Sequence, residues 1–170
     1  MLKEEQMENL TITDKIESLS IKKFIALSVF SFGLYQVWWM YKSWRFFRDK
    51  DNLDIMPAAR AIFSIFFLYS LFEKIQDFSG SKDYTKTFLS FGYFLGYISL
   101  NLISNLSDPY WFVSFFSFLI LIPALESFNF GIKHHTACKL IENDDFNNRQ
   151  VGILIVGGIL WLLILMEMSQ

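Results

Sequence analysis

Residues 150–166 read QVGILIVGGILWLLILM, a run of seventeen residues without a charged side chain. Four more uncharged runs lie upstream, over residues 24–41, 61–72, 87–107 and 109–125. Together the five runs make up about half of the 170 residues, which is more apolar sequence than one small soluble core can bury. The pattern excludes a soluble enzyme, a disordered chain and a disulfide scaffold. It predicts an integral membrane protein.

The apolar residues follow one another without alternation, as they do from Ile153 to Val156. Strands of a membrane barrel alternate apolar and polar residues, whereas a membrane-spanning helix needs roughly 20 consecutive, mostly apolar residues. We therefore predict an all-α, polytopic helical membrane protein with three spans, at 87–107, 109–128 and 150–166. The two remaining runs, 24–41 and 61–72, are expected to be membrane-embedded or short N-terminal helices.

Lysine and arginine residues predict the orientation, because short loops rich in them stay in the cytoplasm. We expect a polar cytoplasmic segment over 1–23, a single helical membrane domain over 24–170, and a C-terminus on the periplasmic or external face. All 15 basic residues share one side if the first two uncharged runs enter the membrane and return, the first of them turning at Gly33. The alternative is a simple first span with the N-terminus outside.

Residues 38–48 combine tryptophan with basic side chains at helical spacing, a combination typical of helices at the level of lipid headgroups. We predict a lipid interface formed by Trp38, Trp39, Lys42, Trp44, Arg45 and Arg48. The three basic residues should share one arc of the helix. A different face should carry Met40, Trp44 and Phe47. The simpler interpretation is an aromatic belt with basic anchors and no specific lipid recognition.

The run 87–107 contains two glycines four residues apart, Gly92 and Gly96, with Ser99 on the same side. Small residues at this spacing let membrane helices approach each other closely. The motif predicts a helix-packing surface. It would serve either packing within one chain or homo-oligomerisation.

Four polar or charged residues are predicted in or near the membrane: Asn101, Asn105, Glu126 and Arg60. Such side chains in lipid need a partner or water. We expect Glu126 to be either solvated at the cytoplasmic interface or paired with Arg60. If the two asparagines and Glu126 lined a polar path, the protein would be a small channel or transporter.

No catalytic, metal or cofactor site is predicted. His134, Cys138 and Glu142 would share one face of a helix, but zinc requires three or four ligands around one point and residues two turns apart do not converge. A net charge of −2 gives no overall basic field for nucleic acid. The expected partners are the lipid bilayer and either a second copy of the chain or another membrane protein.

Local signals mark the connections between the predicted helices. Residues 73–86 and 142–149 are rich in polar residues and are predicted to be a linker and a polar loop. Asp108 followed by Pro109 is typical of a helix start, because Asp accepts from free backbone amides and Pro suits the first helical position.

The stretch 33–44 (GLYQVWWMYKSW) resembles the signature of an uncharacterised family of bacterial inner-membrane proteins, of the type Gly-Leu-Tyr…Trp-Met-Tyr-Lys-x-Trp. The resemblance continues at 57–63, 108–111 and 157–158, although Trp38, Ala58 and Ala59 depart from the commoner residues. It implies a helical protein of the bacterial inner membrane with no assigned activity. The expected function is therefore non-enzymatic, through self-assembly or a protein partner.

Overall fold

The computed structural model describes residues 19–80, 88–103, 116–135 and 145–168, and every regular element within these ranges is helical. The α-helices are α1 (Ile21–Phe30), α2 (Leu34–Asp51), α3 (Pro57–Ile62), α4 (Ser64–Ser79), α5 (Ser90–Ile103), α6 (Phe118–His135) and α7 (Asn148–Met168). The predicted all-α class is confirmed. The predicted helix start at 108–109 lies outside the described residues.

Helices α1 and α2 form a hairpin that turns at Gly33. This glycine has φ +87°, a left-handed backbone conformation that residues other than glycine rarely adopt. Its amide donates to the Ser28 carbonyl at 2.9 Å, which closes the turn. The Phe24 ring contacts the rings of Tyr35 (6.4 Å) and Trp39 (5.8 Å), so α2 folds back along α1. The predicted break and return at Gly33 are confirmed.

Helices α3 and α4 form a second bent unit. Pro57 occupies the first turn of α3, where its missing amide hydrogen costs nothing. The chain kinks at Phe63, and α4 then continues to Ser79. The predicted linker 73–86 was therefore wrong over its first seven residues. The physical reason is the helical spacing of apolar residues that continue through it and are buried: Leu68, Leu71, Phe72, Ile75 and Phe78.

The core lies between α1, α2, α4 and α6. Near the ends of α2 and α4, the Phe46 ring packs edge-on against Phe78 (5.1 Å) and Phe128 (5.2 Å), and Phe47 packs edge-on against Phe78 (5.8 Å). Such aromatic pairs add to the stabilisation gained by burying the rings. This aromatic cluster fixes the C-terminal halves of α2 and α4 against the middle of α6.

Several helix ends meet at one end of the bundle. Lys23 Nζ donates to the Asp145 carbonyl at 2.6 Å, which joins α1 to the segment before α7. Lys74 of α4 pairs with Asp51 at the end of α2 (3.4 Å). Asn129 of α6 donates to a backbone carbonyl just before α1. We call this region the basic end, after its basic residues Lys22, Lys23, Arg48, Lys50, Lys74, Lys133 and Arg149.

Helices α5, α6 and α7 alternate in direction relative to the basic end. Helix α5 starts beside Gln76, whose amide donates to Ser90 at 3.0 Å, and it runs away until Gly96 faces Ile120. Helix α6 returns to the basic end and continues to His135, seven residues beyond the predicted hydrophobic segment 109–128. Helix α7 then leaves again.

Within the described ranges, one helix is long and apolar enough to cross a membrane. It covers Asn148–Glu167 in α7, with a mean hydropathy of 2.1, and only 6% of its most apolar window is buried inside the protein. Helix α5 is apolar but shorter. Association with a membrane is thus supported by α7.

Candidate functional site

Helix α2 has an inner and an outer face, as predicted. Lys42 and Arg45 are exposed and Arg48 is partly exposed, while Met40 and Phe47 point into the core. The separation follows from helical geometry, since residues three and four apart share a face. The predicted two-sided pattern is confirmed.

The three tryptophans of α2 do not share one environment. Trp38 is 48% exposed, its ring lying beside Tyr41 (5.2 Å) and beneath Lys42 Nζ (6.0 Å). Trp39 and Trp44 are 4% and 1% exposed. The predicted contact of Trp39 and Trp44 with lipid headgroups was wrong, because residues of α1 and α3 cover the two rings. For Trp38 it stays a prediction.

Four ion pairs neutralise much of the charge along the end of α2. Asp49 pairs with Arg45 (3.8 Å) and Arg48 (2.7 Å), and Asp51 pairs with Lys50 (3.0 Å) and Lys74. Partial burial raises the pKa of the Asp51 carboxyl, but the hydrogen bonds and charges of the two lysines outweigh it and lower that pKa below its ordinary value.

Arg60 of α3 lies against aromatic rings. Its guanidinium carbon is 4.5 Å from the ring centre of Trp44 and 5.1 Å from that of Phe67, both within the range of a cation–π contact. The predicted ion pair between Arg60 and Glu126 is not formed among the described residues. The reason is placement, since Arg60 packs onto α2 and α4.

The small residues of α5 divide between two environments. Gly96 lies against α6, and a Cβ added there would be 3.1 Å from Ile120 Cδ1. Gly92 and Ser99 are exposed. Packing within the chain therefore accounts for Gly96. Self-association through the exposed pair stays a prediction.

The polar path predicted through Asn101, Asn105 and Glu126 stays a prediction. Asn101 lies on the exposed surface of α5, where its amide donates to the Tyr97 carbonyl of the same helix at 2.8 Å. Glu126 is partly buried on α6. Asn105 lies outside the described residues.

Of the three residues considered as metal ligands, only His134 belongs to the described part of the chain. His134 stacks on Phe130 with the ring centres 4.0 Å apart, while Cys138 and Glu142 lie outside the described residues. In the described part of the chain, no three His, Cys, Asp or Glu side chains are grouped so as to hold a metal ion.

The contact between α7 and the α1–α2 hairpin was not foreseen from the sequence. A Cβ at Gly157 would lie 1.9 Å from the Phe30 carbonyl oxygen, so the two backbones touch. One turn later, Trp161 Nε1 donates to the Val29 carbonyl at 3.2 Å and its ring stacks on Phe32 (5.3 Å). The indole is thus a second donor to the Val29 carbonyl, which also accepts from the Phe32 amide at 3.3 Å. A glycine and a tryptophan four residues apart were the available signal.

No family model, curated protein or solved structure matches this chain. The resemblance to an inner-membrane family therefore stays a prediction, and the function has to be argued from the structure itself.

Proposed function

We propose that this chain is a non-enzymatic, multi-pass protein of the bacterial inner membrane that acts through self-assembly or a protein partner. The observation that carries the proposal is the outer surface of α7. Its side chains from Ile155 to Met166 are almost all apolar and mostly exposed, a surface far larger than monomeric soluble proteins leave in water. Lipid on one side, and a protein partner on another, would cover it.

The helix directions support more than one crossing. Helices α5, α6 and α7 alternate relative to the basic end, as three consecutive spans would. The α1–α2 hairpin leaves that end and returns to it, and α3 with α4 does the same. With the basic end in the cytoplasm, the first four helices enter the membrane from that side without crossing it.

The alignment of α1 with α7 supports the same arrangement. Lys23 meets Asp145 at the start of α7, and Phe32 at the hairpin turn meets Trp161. The two helices are therefore parallel, and the turn lies beside Trp161, past the midpoint of α7. A hairpin placed this way is embedded for most of its length.

Cysteine labelling tests the topology. In a Cys138→Ala background, single cysteines would replace Lys22, Asp54, Asn147 and Glu167, and intact spheroplasts would be treated with a membrane-impermeant maleimide. We expect labelling at position 167 alone. Labelling at 22 would favour a simple first span, labelling at 147 would invert the chain, and protection at 167 would remove the crossing by α7.

Light scattering in detergent distinguishes self-assembly from binding to another protein. If exposed Gly92 mediates self-association, Gly92→Ile should convert an oligomer to a monomer without loss of membrane insertion. The matched control is Gly152→Ile, which changes an open position on α7. A monomeric wild-type chain would exclude self-assembly and leave a different protein as the partner.

A further inference from the structure

Arg60 differs from the two arginines of α2 in what surrounds it. Its guanidinium group lies over the rings of Trp44 and Phe67, and its side chain remains partly exposed. Arg45 and Arg48 lie on the outer face of α2, and both pair with Asp49. Arg60 has no such carboxylate within the described ranges. Two aromatic rings hold this positive charge in place.

Contact with the two rings restrains the guanidinium group of Arg60. Its five N–H donors lie in the plane of the group, around its edge. Such a planar fork matches two oxygens of a phosphate or carboxylate, which is why arginine is common where anions are bound bidentately. Because Trp44 is almost fully buried, the stacking surface is itself rigid.

The surface beyond Arg60 is apolar. Ile62 and Phe63 at the junction of α3 and α4, and Phe66 one turn further, are all exposed. The Trp44 ring contacts Arg60. Trp44 lies seven residues before the end of α2, which is about 10 Å from the basic end by helical rise. A charged group at this depth, followed by exposed apolar side chains, matches the order of phosphate and acyl chain in a phospholipid.

We infer that Arg60, held by Trp44 and Phe67, binds the phosphate of an anionic phospholipid headgroup, with the acyl chains against Ile62 and Phe66. The guanidinium, which the two rings hold in place, is complementary in charge to a phosphate. The exposed apolar side chains are complementary to hydrocarbon. This inference rests on the membrane placement proposed above. It adds a lipid class and a binding residue to that placement.

Native mass spectrometry of the purified full chain in detergent tests the site. The protein is titrated with phosphatidylglycerol and, separately, with phosphatidylcholine. Wild type should bind phosphatidylglycerol more tightly, and Arg60→Gln should weaken that binding about tenfold, the loss expected for one charge-assisted bidentate contact. Arg60→Lys keeps the charge without the fork and should recover only part of the affinity.

Lys133→Gln is the matched control, because it removes one exposed positive charge from α6. Equal loss of affinity in this variant and in Arg60→Gln would overturn the inference, since charge alone would then explain binding. Full affinity in Arg60→Lys would also overturn it, as would displacement of the lipid by equimolar inorganic phosphate. Melting temperatures are measured for every variant, so that a misfolded Arg60→Gln is replaced by Arg60→Lys as the deciding comparison.

The labelling experiment separates the two proposals. If labelling agrees with the proposed topology while Arg60→Gln binds phosphatidylglycerol as wild type does, only the lipid site fails. If position 167 is protected, the membrane placement fails first.

Discussion

Helices α2 and α7 are similar in length but opposite in how they are used. Helix α2 carries four basic residues and buries one complete face, including Trp39, Trp44 and Phe47. Helix α7 is far more apolar, yet almost all of its surface lies outside the protein core. In this chain the more apolar of the two helices is the less buried by other parts of the protein. The amphipathic helix builds the core, and the uniformly apolar helix faces outward.

The difference follows from what surrounds each helix. A helix with one apolar face and one basic face gains by packing the apolar face against other helices and leaving the basic side chains toward water or lipid headgroups. In lipid an apolar helix gains little from burying more hydrocarbon surface, so its contacts depend on close approach and hydrogen bonds. Helix α7 meets α1 in this way, through Gly157 and Trp161.

The largest effect is expected from adjacent tryptophans in α2. Trp39→Ala should lower the free energy of unfolding by about 3–5 kcal/mol, because it removes a large ring from the core. Trp38→Ala, one residue earlier on the outer face, should cost less than about 1 kcal/mol in detergent. Thermal unfolding of the two variants in one detergent measures the difference.

Equal losses in the two tryptophan variants would contradict the described orientation of α2. If spin-labelled lipid headgroups quench the fluorescence of the wild type in liposomes more than that of Trp38→Ala, the predicted role of Trp38 at the lipid interface gains support. Trp39→Phe is a milder control, since it keeps a ring in the same place.

The second test concerns the contact that fixes α7. Gly157→Ala should destabilise the protein by about 1–3 kcal/mol, because the added methyl meets the Phe30 carbonyl and the helices must separate. Gly152→Ala is the matched control on the same helix, with no atom within 4 Å of the new methyl. It should be neutral or slightly stabilising, since alanine favours helix more than glycine.

Differential scanning calorimetry and tryptophan fluorescence follow this second comparison. Trp161 loses its bond to the Val29 carbonyl if α7 moves, so its emission should shift in Gly157→Ala and not in Gly152→Ala. An unchanged melting temperature in both variants would show that α7 is not held against the hairpin at Gly157.

Much of the fold could be predicted because its signals are local. The turn at Gly33 combines a residue that tolerates positive φ with apolar runs on both sides, and the bounds of α7 agree with the predicted 150–166 within two residues. The kink at Phe63 could not be predicted, since neither glycine nor proline marks it. The end of α4 was missed because charged residues hid an apolar stripe that continues to Phe78.

The candidate site was less predictable, because it depends on contacts between distant segments. Sequence analysis paired Arg60 with Glu126 by matching charge and depth, whereas the structure stacks Arg60 on Trp44 and Phe67. Nothing local distinguishes Trp38 from Trp39 as outer and inner rings until the packing partners of α2 are known. Helical periodicity gave the two faces of α2, and only the fold shows which one is covered.

The smallest expected effect is at the ion pairs that end α2. Lys50 and Lys74 keep the pKa of Asp51 below its ordinary value, so the charged carboxylate stabilises the folded state at neutral pH. That contribution is present above the unfolded-state pKa, about 3.9, and is lost as the pH falls through the lower folded-state pKa. Asp51→Asn should therefore cost about 0.2–1 kcal/mol at pH 7, less in high salt, and progressively less as the pH falls below about 3.9. Asp54→Asn, an exposed control three residues away, should show no such pH dependence in thermal melts.

A difference between wild type and Asp51→Asn that grows on acidification would contradict the pairing. A difference that shrinks both in acid and in high salt would support the ion pairs and indicate that these charges face water, in contrast to the apolar surface of α7.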